Sequence, residues 1–345
     1  MMETLVAWVL LLALAAYACG GGTDYGAGFW DLVAGGAERG RRPRALIDDA
    51  MAPVWEVNNV WLIFVLVVMW TGFPTVFQAV FATLWLPLAL AAVGLVLRGA
   101  GFALRKPTRR LSGRRIYGAA FAVASLLTPY FLGTAVGGVV SGRVTAGARH
   151  ASTEAWTNPT SVMTGLLAVA ASAYLGAVFL TGDAYRLGVH DLVGYFRLRA
   201  FCGLAALAVL ALVGLFVTRD DARYVHDGLT GGAGLVLVVL SALGGLATAW
   251  LLIRGSTLWS RGTAVASVVL VVVAWGVAQR PYALPTSLTV AQAAGAPETL
   301  TWLVIVSVVA LILVGPAVVL LYRLDARGEL ESSAEEDPRG TKTVR

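Results

Sequence analysis

VNNVWLIFVLVVMWTGFPTVFQAVFATLWLPLALAAVGLVL, residues 57–97, runs for 41 residues without an Asp, Glu, Lys, Arg or His. An apolar run of 18 or more residues reads as a membrane span, and one helical span needs about 20 residues. This stretch is long enough for two, with Gly72-Phe73-Pro74 as the break between them. Working outward, further charge-free stretches cover 4–23, 116–142, 155–182, 200–218, 229–253, 262–279 and 299–322. Every backbone N–H and C=O in lipid must be satisfied internally, and these runs are too long and too uniformly apolar for barrel strands. The expected fold is therefore an all-α polytopic membrane protein with nine transmembrane helices; a division into two four-helix bundles plus one peripheral helix is the arrangement expected for them, though the runs themselves do not dictate it.

Composition agrees. The chain is 58% hydrophobic and 13% charged, where a soluble domain carries roughly 25% charged residues. The formal charge of +6 is explained by basic residues in short loops rather than by a nucleic-acid partner. Twenty-one of the 26 Lys and Arg residues fall in segments on one side of the span pattern; only Arg143, Arg149, Arg219, Arg223 and Arg280 fall on the other. The positive-inside rule then puts the N-terminus outside and the C-terminus in the cytoplasm. Glu3, with no basic residue, precedes the first apolar stretch, so Thr4–Thr23 reads as a retained span rather than a secretory signal. Residues 1–324 form the expected membrane domain, and the charged tail 325–345 reads as a disordered cytoplasmic segment.

The histidines are His150, His190 and His226, all assigned to loops, so no span offers the usual axial ligand for an intramembrane haem. Cys19 and Cys202 lack metal-type or redox spacing and read as small apolar residues. No Walker, GxGxxG or HExxH motif occurs. This chain is expected to bind no metal and no cofactor of its own and to hold no catalytic residue. Gln78 in the third span reads as interhelical glue, and Pro129 and Pro316 as helix kinks. Gln279-Arg280-Pro281-Tyr282-Ala283-Leu284-Pro285 reads as either a rigid turn or a docking surface.

The acids carry the functional question. Asp24 ends the first apolar run beside Gly20-Gly21-Gly22, and Glu56 begins the second. On a helix Glu56 and Asn59 share one face, and Trp55 lies beside Asn58 and Asn59. An ionisable group at membrane depth is costly and is a candidate for a proton relay. The competing reading makes both acids interfacial, solvated or capping. Trp55 and Trp61 fit an interfacial aromatic belt as well as a buried polar network with Asn58.

Ala52-Pro53-Val54-Trp55-Glu56-Val57-Asn58-Asn59-Val60-Trp61 resembles the P-x-W-D/E-G-N-x-V-W signature of subunit II of cytochrome bd quinol oxidases. Thr23-Asp24-Tyr25-Gly26-Ala27-Gly28 is similar to the first-helix element of that family. Trp156-Thr157-Asn158-Pro159 is similar to its mid-chain element, and Gln279-Arg280-Pro281-Tyr282 through Leu300 to its last loop. Gly21 stands where the family has a further acid, and Val57 where it has a glycine.

The resemblance implies a haem-free subunit that stabilises a haem-bearing subunit I in a heterodimer, with small accessory subunits also conceivable. Haems b and d would reside in that partner and quinol would be the complex's substrate, with a bound quinone or lipid also allowed. The location implied is the bacterial cytoplasmic membrane. Carried over residue by residue, Glu56 and Asp24, with Asn59, form the candidate proton pathway; Trp55, Asn58 and Trp61 form the supporting polar network. The alternatives are a secondary transporter subunit, which calls for acids near the midplane on paired repeats, and a membrane scaffold of another redox complex.

Overall fold

The computed structural model describes residues 1–36, 38–51, 55–105 and 111–326, excluding the side chains of 55–57, 105, 111–115, 318, 321, 322, 325 and 326. The chain is helical almost throughout, and among the described residues eight helices are long and apolar enough to cross a membrane, or nine if one sharply bent pair counts as a span.

The first helix, α1 (Met2–Leu32), is longer than the charge-free stretch 4–23 predicted. Its 31 residues reach about 46 Å at 1.5 Å per residue. It continues past Asp24 and Asp31 because both acids are buried and partnered, so neither needs water to end the helix. The amphipathic helix α2 (Arg41–Met51) follows, burying Pro43, Leu46, Ile47 and Met51 on one stripe. It is pinned by Arg44 donating to Asp31 at 2.7 Å and by an Arg42–Asp191 ion pair at 2.7 Å.

The 57–97 run contains three helices rather than two: α3 (Trp55–Gly72), α4 (Pro74–Thr83) and α5 (Trp85–Arg105). The break at Gly72-Phe73-Pro74 is where the sequence places it, with Pro74 opening α4. The chain turns by 118° there, and the Gly72 carbonyl accepts from the Gly295 N–H at 2.8 Å. At 10 residues, α4 extends only about 15 Å and cannot cross a bilayer. The third span is therefore α5, beginning at Trp85 and not at Pro74. Gln78, expected inside that span as interhelical glue, is exposed on α4.

The remaining long helices are α6 (Leu111–Val140), α8 (Pro159–Arg186), α9 (His190–Asp221), α11 (Gly232–Ile253), α12 (Thr257–Gln279) and α14 (Pro297–Ala326). Pro129 and Pro316 lie inside α6 and α14 as expected. Short helices α7 (Glu154–Thr157), α10 (Arg223–Thr230) and α13 (Val290–Ala293) lie in the connections. So does a two-stranded antiparallel ribbon, β1 (Tyr282–Leu284) with β2 (Leu288–Thr289). The proline-rich loop is thus a hairpin, held by Gln279 donating to the Ala283 carbonyl at 2.7 Å. His190 opens α9 and His226 lies in α10, so these two are at helix ends and in a short connection helix rather than in irregular loops.

Helices α1, α3, α5 and α6 form one bundle and α8, α9, α11 and α12 a second. They join through α1 and α6 against α8, and α1 against α12, while α14 packs mainly on α1 and α3. That is the expected division into two four-helix bundles plus a peripheral helix. Residues such as Val306, Leu311, Ile312 and Leu313 of α14 are exposed; in lipid such a surface carries no hydrophobic penalty. Cys19 is buried in the core, whereas Cys202 is exposed on α9.

Asn158 closes the bend before α8. Its side chain accepts from the Ser161 N–H at 2.9 Å and donates to the Glu154 and Ala155 carbonyls at 3.0 Å each. Pro159 occupies the first turn, where its missing N–H costs nothing. Asn158→Ala removes the cap together with two buried bonds and is expected to destabilise the chain by about 2 kcal/mol, read as a lower midpoint in thermal unfolding in detergent.

Candidate functional site

Asp24 lies about 12 Å along α1 from Leu32 and about 33 Å from Met2. It is only 4% exposed, so protein rather than water surrounds this acid. Its neighbours come from three other helices. Asn58, in the first turns of α3, donates from Nδ2 to Asp24 Oδ2 at 2.9 Å. This approach depends on Gly20, where a Cβ would stand 2.7 Å from Asn58 Oδ1. On α5, Arg98 is 3% exposed and brings a positive charge beside Tyr25, the residue that follows Asp24. The guanidinium is held over the Tyr25 ring at 5.0 Å and the Phe121 ring at 5.4 Å. Arg98 Nε donates to Ser125 Oγ on α6 at 3.2 Å, and Ser125 in turn donates to the Phe121 carbonyl. Arg98 Nη2 is buried with no hydrogen-bond partner among the described residues.

Beyond this pair the hydroxyls of Tyr25 and Tyr17 meet at 2.6 Å, both side chains buried. The arrangement is a carboxylate, an amide, a guanidinium and two phenols enclosed by apolar helices. A buried charge persists only when paired and hydrogen-bonded, and here α1, α3, α5 and α6 each contribute one element of that compensation.

Of the residues singled out in the sequence, Asn58 is the amide that reaches Asp24. Asn59 is half-buried and Trp61 packs edge-on against Phe64. Trp55 and Glu56 lie in the first turn of α3, but their side chains fall outside the described residues. Arg98 and Ser125 escaped the sequence reading. Arg98 closed an apolar run and was counted among the loop cations. Its signal is the continuation Gly99-Ala100-Gly101-Phe102-Ala103-Leu104, six uncharged residues that extend the helix past the charge.

Among the described residues no cluster of three or more His, Cys, Asp or Glu side chains could hold a metal ion. His190 opens α9 and His226 lies in the short helix α10.

Long apolar helices that enclose a cluster of ionisable side chains define a polytopic helical membrane protein. The chain belongs to the cytochrome bd terminal oxidase subunit II family, whose model matches residues 2–325. It is 27% identical over 228 residues to cytochrome bd-I ubiquinol oxidase subunit 2 of Escherichia coli K12, covering 63% of this chain and 58% of that relative. With cytochrome bd ubiquinol oxidase subunit 2 of Bacillus subtilis 168 it shares 24% identity over 63% of this chain and 72% of that protein. The alignment thus spans less than two thirds of the Escherichia coli relative's length. In three dimensions it matches a chain of the bd oxidase from Geobacillus thermodenitrificans with a TM-score of 0.79 and 26% identity, covering 94% of this chain and 98% of that one.

Proposed function

We propose that this chain is the haem-free subunit of a bd-type quinol:oxygen oxidoreductase in a bacterial cytoplasmic membrane. In this reading it stabilises a haem-bearing subunit I and carries protons toward the site of oxygen reduction. The N-terminus is outside, residues 1–324 are the membrane domain, and 325–345 are a cytoplasmic tail. The observation that carries the reading is the buried Asp24–Asn58–Arg98 cluster, in a chain whose family pairs with an oxidase. The partner would hold haems b and d, which would pass electrons from quinol to dioxygen; this chain's residues deal with the protons that reaction consumes.

Within the chain Asp24 is the proton-holding group, its carboxylate oriented by Asn58 Nδ2. Arg98 stabilises the anion between transfers and keeps an unpaired charge from being stranded in lipid. The Tyr25 and Tyr17 hydroxyls, each able to donate and accept, extend the polar line along α1. Glu56, at the start of α3, receives protons from the cytoplasmic face, and Asn59 one turn later shares its helix face.

Purification with co-expressed genomic neighbours, followed by a reduced-minus-oxidised visible spectrum, tests the assignment. Haem b and d bands on a co-purifying partner are expected; a colourless chain that purifies alone and stable would sink it. Glu56→Gln is expected to lower oxygen consumption by about tenfold or more with haem content unchanged. Wild-type turnover in the assembled variant would remove Glu56 from the pathway.

A further inference from the structure

On the side of Asp24 toward the second bundle lies a cavity of about 70 Å³. Thr23 and Asp24 of α1, Asp183 of α8, Arg261 of α12, and Ala50 and Met51 of α2 are among the residues that line it. Arg261 Nη2 donates to Asp183 at 2.7 Å and to the Phe179 carbonyl at 2.6 Å. Its Nε is buried with no hydrogen-bond partner among the described residues. Asp183 stands one turn before the end of α8, where Arg186 approaches it at 3.6 Å. The side chains of Asp183 and Arg261 are 12% and 25% exposed, so the cavity is partly open to the protein surface beside them, while Asp24 is enclosed.

The volume accommodates at least about two water molecules, and a buried water needs two to four polar partners. Two carboxylates, the Thr23 hydroxyl and the unsatisfied Arg261 Nε supply them. We propose that this cavity holds a short file of water joining Asp24 to the Asp183–Arg261 pair and forms an uptake branch for protons, separate from the route through Glu56. The inference rests on the proton-conducting reading above. In each transfer one O–H bond forms on a water as another breaks, and the file ends with a proton on an Asp24 oxygen, with no redox partner involved. Asp183 is the positioning residue. It offsets the Arg261 cation, which would otherwise repel a proton from the mouth of the file.

Ala50 is half-buried on α2, so a longer side chain there can extend into the cavity without displacing a packed helix. In the assembled oxidase, proton uptake is followed with a pH-indicator dye after an oxygen pulse. Ala50→Met is expected to slow uptake roughly threefold or more by displacing ordered water, with haem content unchanged, and Asp183→Asn to slow it similarly. Asp24→Asn serves as the control. Wild-type uptake in Ala50→Met alongside slow uptake in Asp24→Asn overturns the branch and leaves the proton-conducting reading intact. Wild-type uptake in Asp24→Asn overturns that reading and the branch with it. If Ala50→Met does not assemble, high-resolution density in the wild-type complex decides: ordered waters between Asp24 and Arg261 support the branch, and a dry cavity overturns it.

Discussion

Asp24→Asn is expected to lower oxygen consumption by about a hundredfold in a complex that still assembles with its haems. Asparagine keeps the shape of the side chain, and its carbonyl can still accept from Asn58 Nδ2, so the contact between α1 and α3 survives. What is lost is the capacity to take up a proton, together with the anion near Arg98. An Arg98 guanidinium that is 3% exposed and has no countercharge is a buried, uncompensated cation. Leaving a buried charge less well compensated is destabilising, so the thermal midpoint of the complex falls as well. Asp24→Asn combined with Arg98→Gln separates the two effects: neutralising both partners is expected to restore most of the midpoint and none of the turnover. Recovery of turnover in the double variant would show that Asp24 acts only by balancing Arg98. Full turnover in assembled Asp24→Asn alone would remove Asp24 from the pathway.

The spans were legible because lipid imposes one simple demand, a long apolar run with its hydrogen bonds closed internally. Where protein replaces lipid as the surroundings, that demand lapses and the sequence signal weakens. Thr23 marked the end of the first apolar run, yet α1 continues to Leu32, since Asp31 pairs with Arg44 and Asp24 with Asn58. The second break in 57–97 falls at Leu84 in an uncharged context, and hydropathy is blind to it. The local sign was Pro87, which suits a first helical turn and sits there in α5. The candidate site was half legible for the same reason. Asp24 and the amides stood out as polar residues beside apolar runs. Arg98 and Arg261 fell among the loop cations and Asp183 was passed over, because a charge next to an apolar run ordinarily marks its end. Only the packing of α5 on α6, and of α8 near α12, shows that Arg98 is enclosed and that Asp183 and Arg261 pair across two helices.

Gly26→Ala is expected to abolish or severely reduce assembly, whereas Gly22→Ala, one helical turn earlier, is expected to be close to neutral. At Gly26 the α1 backbone runs directly against α8: a Cβ there would collide with the Ser172 carbonyl and stand 2.9 Å from Gly176 Cα. The obstacle is backbone, so no rotamer change relieves it. On the α8 side, a Cβ at Gly176 would lie 2.6 Å from Gly26 Cα, so small residues are needed on both helices at this crossing. Separating the helices would strain the Trp30 Nε1 bond to the Ala173 carbonyl at 2.8 Å. It would also open the bundle boundary beside Asp24. Overpacking of this kind costs about 1–3 kcal/mol where side chains can yield and more where they cannot. At Gly22, by contrast, the nearest atom to a new Cβ is Leu175 Cδ1 at 3.4 Å, an ordinary contact with a flexible side chain. Yield of assembled complex after detergent extraction and its thermal midpoint measure both variants. Equal tolerance at the two positions would mean that α1 and α8 can move apart freely, and that the joint between the bundles does not depend on this crossing.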